Sequence, residues 1–247
     1  ISANTFGANR LKFDSHTLKQ VIDGAIDCAQ NAVKSFAGRY VALDIGPLGK
    51  LLAPFGDLSF EQAYDIFAET IKLAGDRTDL ILIETMNDSY ETKAAVLAAK
   101  ENSKLPVFVT NVYDESKKLM TGADAVAMIA MLEGLRVDAI GMNCSLGPEK
   151  MLEILPVFAE YSSTPVIITP NAGMPKVVDG KTVYDVSPED FAVCMEKAAE
   201  MGAAVIGGCC GTTYEYIAAV AEKVKGKKAK PVSKKNHTLV SSYTHAL

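Results

Sequence analysis

Short apolar runs recur along the chain and alternate with longer stretches in which apolar and polar positions follow a helical period. The short runs are rich in Val, Ile and Leu, and some, such as Leu-Ile-Leu-Ile at 80–83, have no polar residue at all. Continuous apolar runs of this length are typical of strands that are buried on both faces of a parallel sheet. They predict seven strands, at residues 1–4, 40–44, 80–84, 106–112, 139–143, 165–169 and 203–208.

The stretches between these strands predict helices. In the first of them, Leu18 and Ile22 fall on one helical face together with further apolar side chains. Ser59, Asp88 and Ser187 stand where helix N-caps are expected, because their side chains can accept hydrogen bonds from free amides of the first turn. The predicted helices cover residues 15–37, 59–74, 89–101, 123–132, 148–161, 188–201 and 213–224.

The alternation of strands and helices predicts an α/β fold. Repeated βα units place the strands parallel, with right-handed crossovers. A chain of 247 residues suits one (β/α) barrel or two small domains. The regular spacing of the strands favours a barrel over an open doubly wound sheet. Residues 171–184 are expected to form a long loop.

Two adjacent cysteines, Cys209 and Cys210, follow the last predicted strand and are flanked by glycines at 207, 208 and 211. Adjacent side chains on a regular strand point to opposite faces, so both thiols can reach one point only if the backbone leaves the extended form. Glycine permits such a departure, and a pair of converging thiols suggests zinc. Two other interpretations stay open for the pair alone: small buried apolar residues, or a strained vicinal disulfide.

A third cysteine occupies a comparable position. Cys144 follows the predicted strand at 139–143 and precedes a Gly-Pro turn. Three cysteine ligands leave a fourth position of zinc for a substrate, which is the arrangement of a catalytic site. The two remaining cysteines, Cys28 and Cys194, lie in predicted helices and are expected to be packing residues.

Composition excludes several classes of function. The net charge of −5 gives no basic surface for nucleic acid, and no apolar run approaches the ~20 residues that span a bilayer. Five cysteines without the spacing of a disulfide scaffold fit a reducing cytoplasm. Lysine is concentrated from about residue 223 onward, so residues 1–222 are predicted to form the barrel and 223–247 a basic linker toward a following domain.

The two cysteine segments resemble the homocysteine S-methyltransferase family. They read GMNCSLGP at 141–148 and GGCCGTT at 207–213. Weaker matches run in order along nearly the whole chain, at residues 4–8 (NTFGA), 44–47 (DIGP), 84–85 (ET), 119–124 (LMTGAD) and 170–173 (PNAG). Within the family, the chain is most similar to the homocysteine-binding modules of cobalamin-dependent methionine synthases.

The resemblance implies a TIM (β/α)8 barrel, whose strand ends form the active-site rim. The family's opening strand, with its Asp-Gly-Ala loop, does not appear before Ile1, so the first βα unit is expected to be absent from this chain.

The resemblance also implies the chemistry. Three cysteines, Cys144, Cys209 and Cys210, would be the zinc ligands and the catalytic residues. They would bind and activate homocysteine as a zinc thiolate for methylation to methionine. Glu84, the family's strand-end glutamate, is the candidate partner of the homocysteine ammonium, and Asn171 is a candidate for substrate contact or for support of the site. Asp44 and Asn143 also end predicted strands and are further substrate-site candidates, although a strand-end cap explains either residue equally well.

The methyl donor is not apparent from the sequence. In the cobalamin-dependent enzymes it is methylcobalamin, recharged from 5-methyltetrahydrofolate, and cobalamin- and folate-binding modules of the same protein would be the partners. The alternatives are a stand-alone betaine- or S-methylmethionine-homocysteine methyltransferase and, from another class, a non-catalytic zinc- or thiol-binding barrel. The basic linker favours the module of a cobalamin-dependent methionine synthase over these alternatives.

Overall fold

The computed structural model describes residues 1–236 and 238–247. Six parallel strands form one sheet in the order β1-β2-β3-β4-β5-β8. Consecutive strands are thus neighbours, as repeated βα crossovers require, and the expected α/β class with parallel strands is confirmed. The strands are β1 (Ala42–Ile45), β2 (Leu80–Met86), β3 (Val107–Asn111), β4 (Ala139–Asn143), β5 (Val166–Thr169) and β8 (Ala203–Ile206).

The remaining predicted strand, at residues 1–4, is present only as a single parallel bridge between Ser2 and Ala42. The Ala3 amide donates to the Ala42 carbonyl at 2.9 Å, and the Ala42 amide donates to the Ile1 carbonyl at 2.8 Å. Among the described residues the ladder of strands is open, and a closed ring of eight strands is not formed.

Eight helices lie among the described residues, and all seven predicted helical stretches are helical. They are α1 (Ser15–Val33), α2 (Phe60–Ala74), α3 (Ser89–Asn102), α4 (Ala125–Gly134), α5 (Pro148–Leu152), α6 (Leu155–Tyr161), α7 (Pro188–Met201) and α8 (Tyr214–Lys223). Ser59 makes a full capping box with Gln62 at the start of α2, and Asp88 and Ser187 cap α3 and α7 as expected.

Two details differ from the predictions. The helix expected at 148–161 is divided into α5 and α6, because Pro156 in the first turn of α6 has no amide to continue a helix from α5. The loop expected at 171–184 contains an antiparallel hairpin, β6 (Lys176–Val178) and β7 (Lys181–Val183). Asp179 and Gly180 form its turn with φ of 50° and 73°. Two consecutive positive φ angles suit the right-handed twist of a hairpin.

The chain divides into two compact units. The first contains residues 1–109 and 135–138, and β1 pairs with β2 inside it, with Asp44 opposite Leu82. Its core is built from fully buried aliphatic side chains of α1 and β2, among them Leu18, Ile22 and Ile81.

The second unit contains residues 110–134 and 139–247 and carries all three cysteines of the two motifs. Inside it β5 lies between β4 and β8. Aromatic pairs pack edge to face in its core, Tyr113 with Phe158 and Phe191 with Tyr216. Cys194 on α7 is buried as expected, whereas Cys28 on α1 in the first unit is exposed, so the expectation that Cys28 is a packing residue is wrong.

The lysine-rich segment after α8 makes specific contacts within the second unit. The Lys227 ammonium forms ion pairs with Glu196 at 2.6 Å and Glu200 at 2.9 Å. The Lys235 amide donates to the hydroxyl of Ser163 at 2.9 Å. His237, within the predicted connector, lies outside the described residues. The division into a barrel at 1–222 and a linker at 223–247 stays a prediction.

Candidate metal centre

Cys144 stands at a sharp turn immediately after β4. Its φ of 57° and the φ of 61° at Ser145 are both in the left-handed region, which residues with a side chain rarely adopt. The Cys144 amide still donates to the Thr169 carbonyl at 3.1 Å, so the strand register with β5 persists to this residue. Backbone strain of this kind costs about 1–3 kcal/mol per residue and concentrates at functional sites.

The pair Cys209-Cys210 is held by the loop that follows β5. The Cys209 amide donates to the Pro170 carbonyl at 2.8 Å, and the Cys210 carbonyl accepts from the Ala172 amide at 2.9 Å. The Cys210 amide donates to the Asn171 side chain, Oδ1, at 3.1 Å. Because each peptide of the pair is fixed to this loop, the two adjacent thiols turn toward the same side.

The three sulfur atoms converge. All pairs of Sγ atoms of Cys144, Cys209 and Cys210 lie within 4.8 Å, and the Sγ atoms of Cys144 and Cys210 are 3.7 Å apart. Tetrahedral zinc with Zn–S bonds of about 2.3 Å places its sulfur ligands about 3.8 Å from one another. The donor atoms therefore have both the chemical type and the spacing that a zinc ion requires.

The pKa values of the three thiols are shifted in different directions. Hydrogen bonding from the Cys209 thiol lowers the pKa of Cys144 to about 5, with further donors at Ser145, Cys210 and Asn171. The hydrogen bond to Cys144 and burial raise the pKa of Cys209, and burial followed by the Cys144 charge raises the pKa of Cys210. One thiolate, on Cys144, is thus stabilised by two thiols, and a cation would be needed before all three could ionise together.

Two buried asparagines contact the thiols. Asn143, the last residue of β4, is 0% exposed, and its Nδ2 donates to the Cys209 sulfur at 3.8 Å while its Oδ1 accepts from the Thr110 hydroxyl at 2.8 Å. Asn171 is 4% exposed, accepts a hydrogen bond from the Cys210 amide at 3.1 Å and contributes to the lowered pKa of the Cys144 thiol. Both candidates from the sequence therefore lie beside the sulfur ligands.

In the first unit, Asp44 in β1 and Glu84 in β2 form a carboxyl pair. Burial, followed by the negative charge of Glu84 and a hydrogen bond with it, raises the pKa of Asp44 to about 8. The Asp44 side chain is buried and its Oδ1 has no hydrogen-bond partner. Its backbone is fixed by Thr5, whose hydroxyl donates to the Asp44 carbonyl at 2.8 Å and accepts from the Asp44 amide at 3.0 Å. At neutral pH the pair carries one shared proton and one negative charge.

The sequence predictions did not select Thr110 or Thr5, which contact the candidate residues Asn143 and Asp44. Thr110 lies one residue before the end of β3 and inside the strand predicted at 106–112, so the strand-end criterion that selected Asn143 did not select it. Thr5 directly follows the strand predicted at 1–4 and lies in the match at 4–8, and this position is the signal that could have found it.

Comparisons with known proteins agree with the geometry. The family model for homocysteine S-methyltransferase matches residues 1–224. The methionine synthase of Mycobacterium leprae is 30% identical over 239 residues, and that of Mycobacterium tuberculosis is 29% identical over 243 residues. These alignments cover 91% and 92% of this chain but only 20% of either relative, so the chain spans about one fifth of their length.

The solved structures show a similar fold. The metallated form of the homocysteine methyltransferase MmuM from Escherichia coli matches with a TM-score of 0.75 at 20% identity, covering 90% of this chain and 78% of that one. The apo form matches with a TM-score of 0.71 at 22% identity, covering 85% and 76%. Among the described residues, no helix combines the length and apolar character needed to cross a membrane. With a family model that matches nearly its whole length, the chain belongs to the homocysteine S-methyltransferase family.

Proposed function

We propose that the chain is the homocysteine-binding module of a cobalamin-dependent methionine synthase, which prepares the homocysteine sulfur for methylation to methionine. The observation that carries this proposal is the convergence of the Cys144, Cys209 and Cys210 sulfur atoms within 4.8 Å of one another. The family membership and the two methionine synthase relatives support the same activity.

Cys144, Cys209 and Cys210 are the proposed zinc ligands and the catalytic residues. Three sulfur ligands leave one position of a tetrahedral ion for the substrate thiol. When bound there, zinc supplies the positive charge that keeps a thiol deprotonated and nucleophilic at neutral pH. With the metal bound, the three cysteines would be thiolates whose negative charges keep electron density on the substrate sulfur. Backbone hydrogen bonds of the chain fix these ligands in advance.

Asn143 and Asn171 are proposed to serve the substrate site by orienting the sulfur ligands. Asn143 is held by Thr110 and donates to the Cys209 sulfur, while Asn171 accepts from the Cys210 amide and helps to lower the pKa of the Cys144 thiol. Residues behind metal ligands that orient them in this way typically account for a 10- to 100-fold effect on metal affinity.

Glu84 and Asp44 are proposed to bind the amino end of homocysteine. The shared proton leaves the pair with a single negative charge, which matches the single positive charge of the homocysteine ammonium. Glu84 is the group proposed to carry that charge, because Asp44 is the member whose pKa is raised to about 8.

The donor is proposed to be methylcobalamin, recharged from 5-methyltetrahydrofolate on other modules of the same protein. The methionine synthase relatives support this assignment over betaine or S-methylmethionine, because the parts of those relatives outside the match account for most of their length. Residues 1–222 would then be the catalytic barrel and 223–247 the connector toward the following module.

A methyl-transfer assay tests the proposal. The zinc-loaded chain is incubated with homocysteine and one donor at a time, which is methylcobalamin, betaine or S-methylmethionine, and the methionine formed is measured. Of the three donors, we expect only methylcobalamin to give methionine, and we expect a Cys210→Ala variant to give none. Transfer from betaine or S-methylmethionine would replace the donor assignment, and no transfer from any donor would leave a non-catalytic thiol-binding barrel. A Cys28→Ala variant is the matched control, since Cys28 lies on α1, in the other unit.

A further inference from the structure

The segment that follows β1 starts at Asp44 and reads DIGP at 44–47. It is one of the segments that carry the family resemblance, yet the proposed function uses only its first residue. The pairing of β1 with β2 ends where Ile45 lies opposite Ile83. Glu84 is one residue beyond that pair, so the strand ladder does not fix residues 46–48 relative to Glu84.

Glu91 supplies a connection between the two sides of the carboxyl pair. It lies in the first turn of α3, the helix that follows β2. Its Oε1 accepts a hydrogen bond from the Leu48 amide at 2.7 Å, and the two residues are 4% and 3% exposed. This hydrogen bond therefore joins the segment after Asp44 to the helix after Glu84, away from water.

Glu91 is itself held in place by the cap of α3. The Asp88 side chain, Oδ1, accepts from the Glu91 amide at 2.9 Å, and the Thr92 hydroxyl donates to the Asp88 carbonyl at 2.6 Å. Asp88 and Thr92 are both buried. A carboxyl group is seldom buried to this extent, because its removal from water is costly unless hydrogen bonds compensate. Its place beside the Leu48 amide is therefore a specific feature of this site.

The segment after Asp44 is also held from the opposite side. The Gly46 amide donates to the Phe6 carbonyl at 3.1 Å, and a Cβ atom added at Gly46 would lie 2.4 Å from the Phe6 ring. Next to Glu84, Thr85 has a φ of 61°, which a β-branched residue rarely adopts and which persists only where the surroundings hold it. Both strand ends that carry the carboxyl pair are thus fixed by contacts outside the ladder.

We propose that Glu91 is a positioning residue of the substrate site: by accepting from the Leu48 amide, it holds the segment after Asp44 against the helix after Glu84. The inference rests on the proposed function, which assigns the homocysteine ammonium to the Asp44–Glu84 pair. Glu91 acts through the backbone and sets where the two carboxyl groups meet the substrate. It has no role at the cysteine sulfurs, which belong to the other unit.

The first test measures homocysteine binding by calorimetry in the zinc-loaded chain of 247 residues. Glu91→Met retains the length and volume of the side chain but removes the acceptor, and we expect it to weaken homocysteine binding about 10-fold with an unchanged zinc content. Glu91→Gln retains an oxygen acceptor and should bind homocysteine as the wild type does.

The matched control is Glu101→Met, at the other end of α3, where the exposed carboxylate accepts only from the Tyr64 hydroxyl among the described contacts. It should bind homocysteine as the wild type does. Equal homocysteine affinity in wild type and Glu91→Met, or an equal loss of affinity in Glu91→Gln and Glu91→Met, would overturn the positioning role.

The second test needs neither metal nor substrate. Hydrogen exchange of the Leu48 amide is followed by NMR in the zinc-free chain. We expect exchange about 10-fold faster or more in Glu91→Met and a wild-type rate in Glu91→Gln, and an unchanged rate in Glu91→Met would overturn the inference. If the wild-type chain binds no homocysteine, the proposed function fails, while this rate still decides whether Glu91 holds the segment.

Discussion

Substituting Gly141 by alanine should force apart the two strands that support the metal centre. Gly141 lies in β4 opposite Ile167 of β5. A Cβ atom at this position would lie 1.9 Å from the Ile167 carbonyl oxygen, 2.7 Å from its carbonyl carbon and 2.8 Å from its nitrogen. All three neighbours are backbone atoms, so no side-chain rotation can relieve the overlap.

The size of the effect follows from these distances. Nonbonded carbon and oxygen atoms approach no closer than about 3 Å, so the strands must separate locally by on the order of 1 Å. The flanking hydrogen bonds, Ile140 amide to Pro165 carbonyl at 3.0 Å and Cys144 amide to Thr169 carbonyl at 3.1 Å, would then be stretched beyond bonding length. Overpacking costs about 1–3 kcal/mol and each lost bond about 1 kcal/mol, while the stiffer unfolded chain returns about 0.4–1 kcal/mol. The net expectation is a loss of about 2–4 kcal/mol.

Urea unfolding measures this loss. With a slope of about 3 kcal/mol per molar urea, the midpoint of Gly141→Ala should fall by about 1 M. Gly24→Ala is the matched control, because the same methyl group is added inside α1 where no atom lies within 4 Å. That variant should gain about 0.5–1 kcal/mol. A Gly141→Ala midpoint equal to that of wild type would refute the account of how β4 and β5 hold Cys144.

Two further results are expected. Glu91 accepts a hydrogen bond from the Leu48 amide at 2.7 Å, and burial raises its pKa from 4.5 to about 7. Because the folded chain holds this proton more tightly than the unfolded chain, the contribution of Glu91 to stability is fully present below pH 4.5. On the order of 3 kcal/mol of it is lost as the pH rises from there through 7. Urea midpoints at pH 5 and pH 8 should therefore differ less in Glu91→Gln than in wild type, and an equal difference would exclude Glu91 as the cause. Glu84→Gln should weaken homocysteine binding about 10-fold in calorimetry, while zinc uptake persists. Asp44→Asn should have a smaller effect on homocysteine binding, because it leaves Glu84 ionised. If Asp44→Asn had the larger effect, the negative charge would be assigned to Asp44.

Much of the fold was predictable because its signals are local. Apolar runs bounded by turn residues gave the bounds of β4 without error, and cap residues such as Ser59, Asp88 and Ser187 marked helix starts that the structure confirms. The break between α5 and α6 also has a local signal, because Pro156 stands within the helix predicted at 148–161. The Asp179-Gly180 pair was a hairpin signal of the same kind.

The candidate site was predictable only in part. Strand-end position and glycine flanks were sufficient to select Cys144, Cys209 and Cys210, because parallel strands carry loop residues to the same edge of a sheet. The partners of these cysteines depend on contacts between residues distant in sequence, such as Asn143 with Cys209, and Asn171 with Cys210. Pattern and spacing contain no information on such contacts, so the orienting roles emerge only from the structure.

X-ray absorption at the zinc edge of the metal-loaded chain tests the central claim most directly. We expect one zinc ion per chain with three sulfur neighbours at about 2.3 Å and one lighter ligand, because three cysteine sulfurs converge at the proposed centre. Alanine at Cys144, Cys209 or Cys210 should reduce both the zinc content and the sulfur count, whereas alanine at Cys28 should change neither. A zinc spectrum without sulfur neighbours, or a zinc content unaffected by Cys209→Ala, would contradict the assignment of the metal centre.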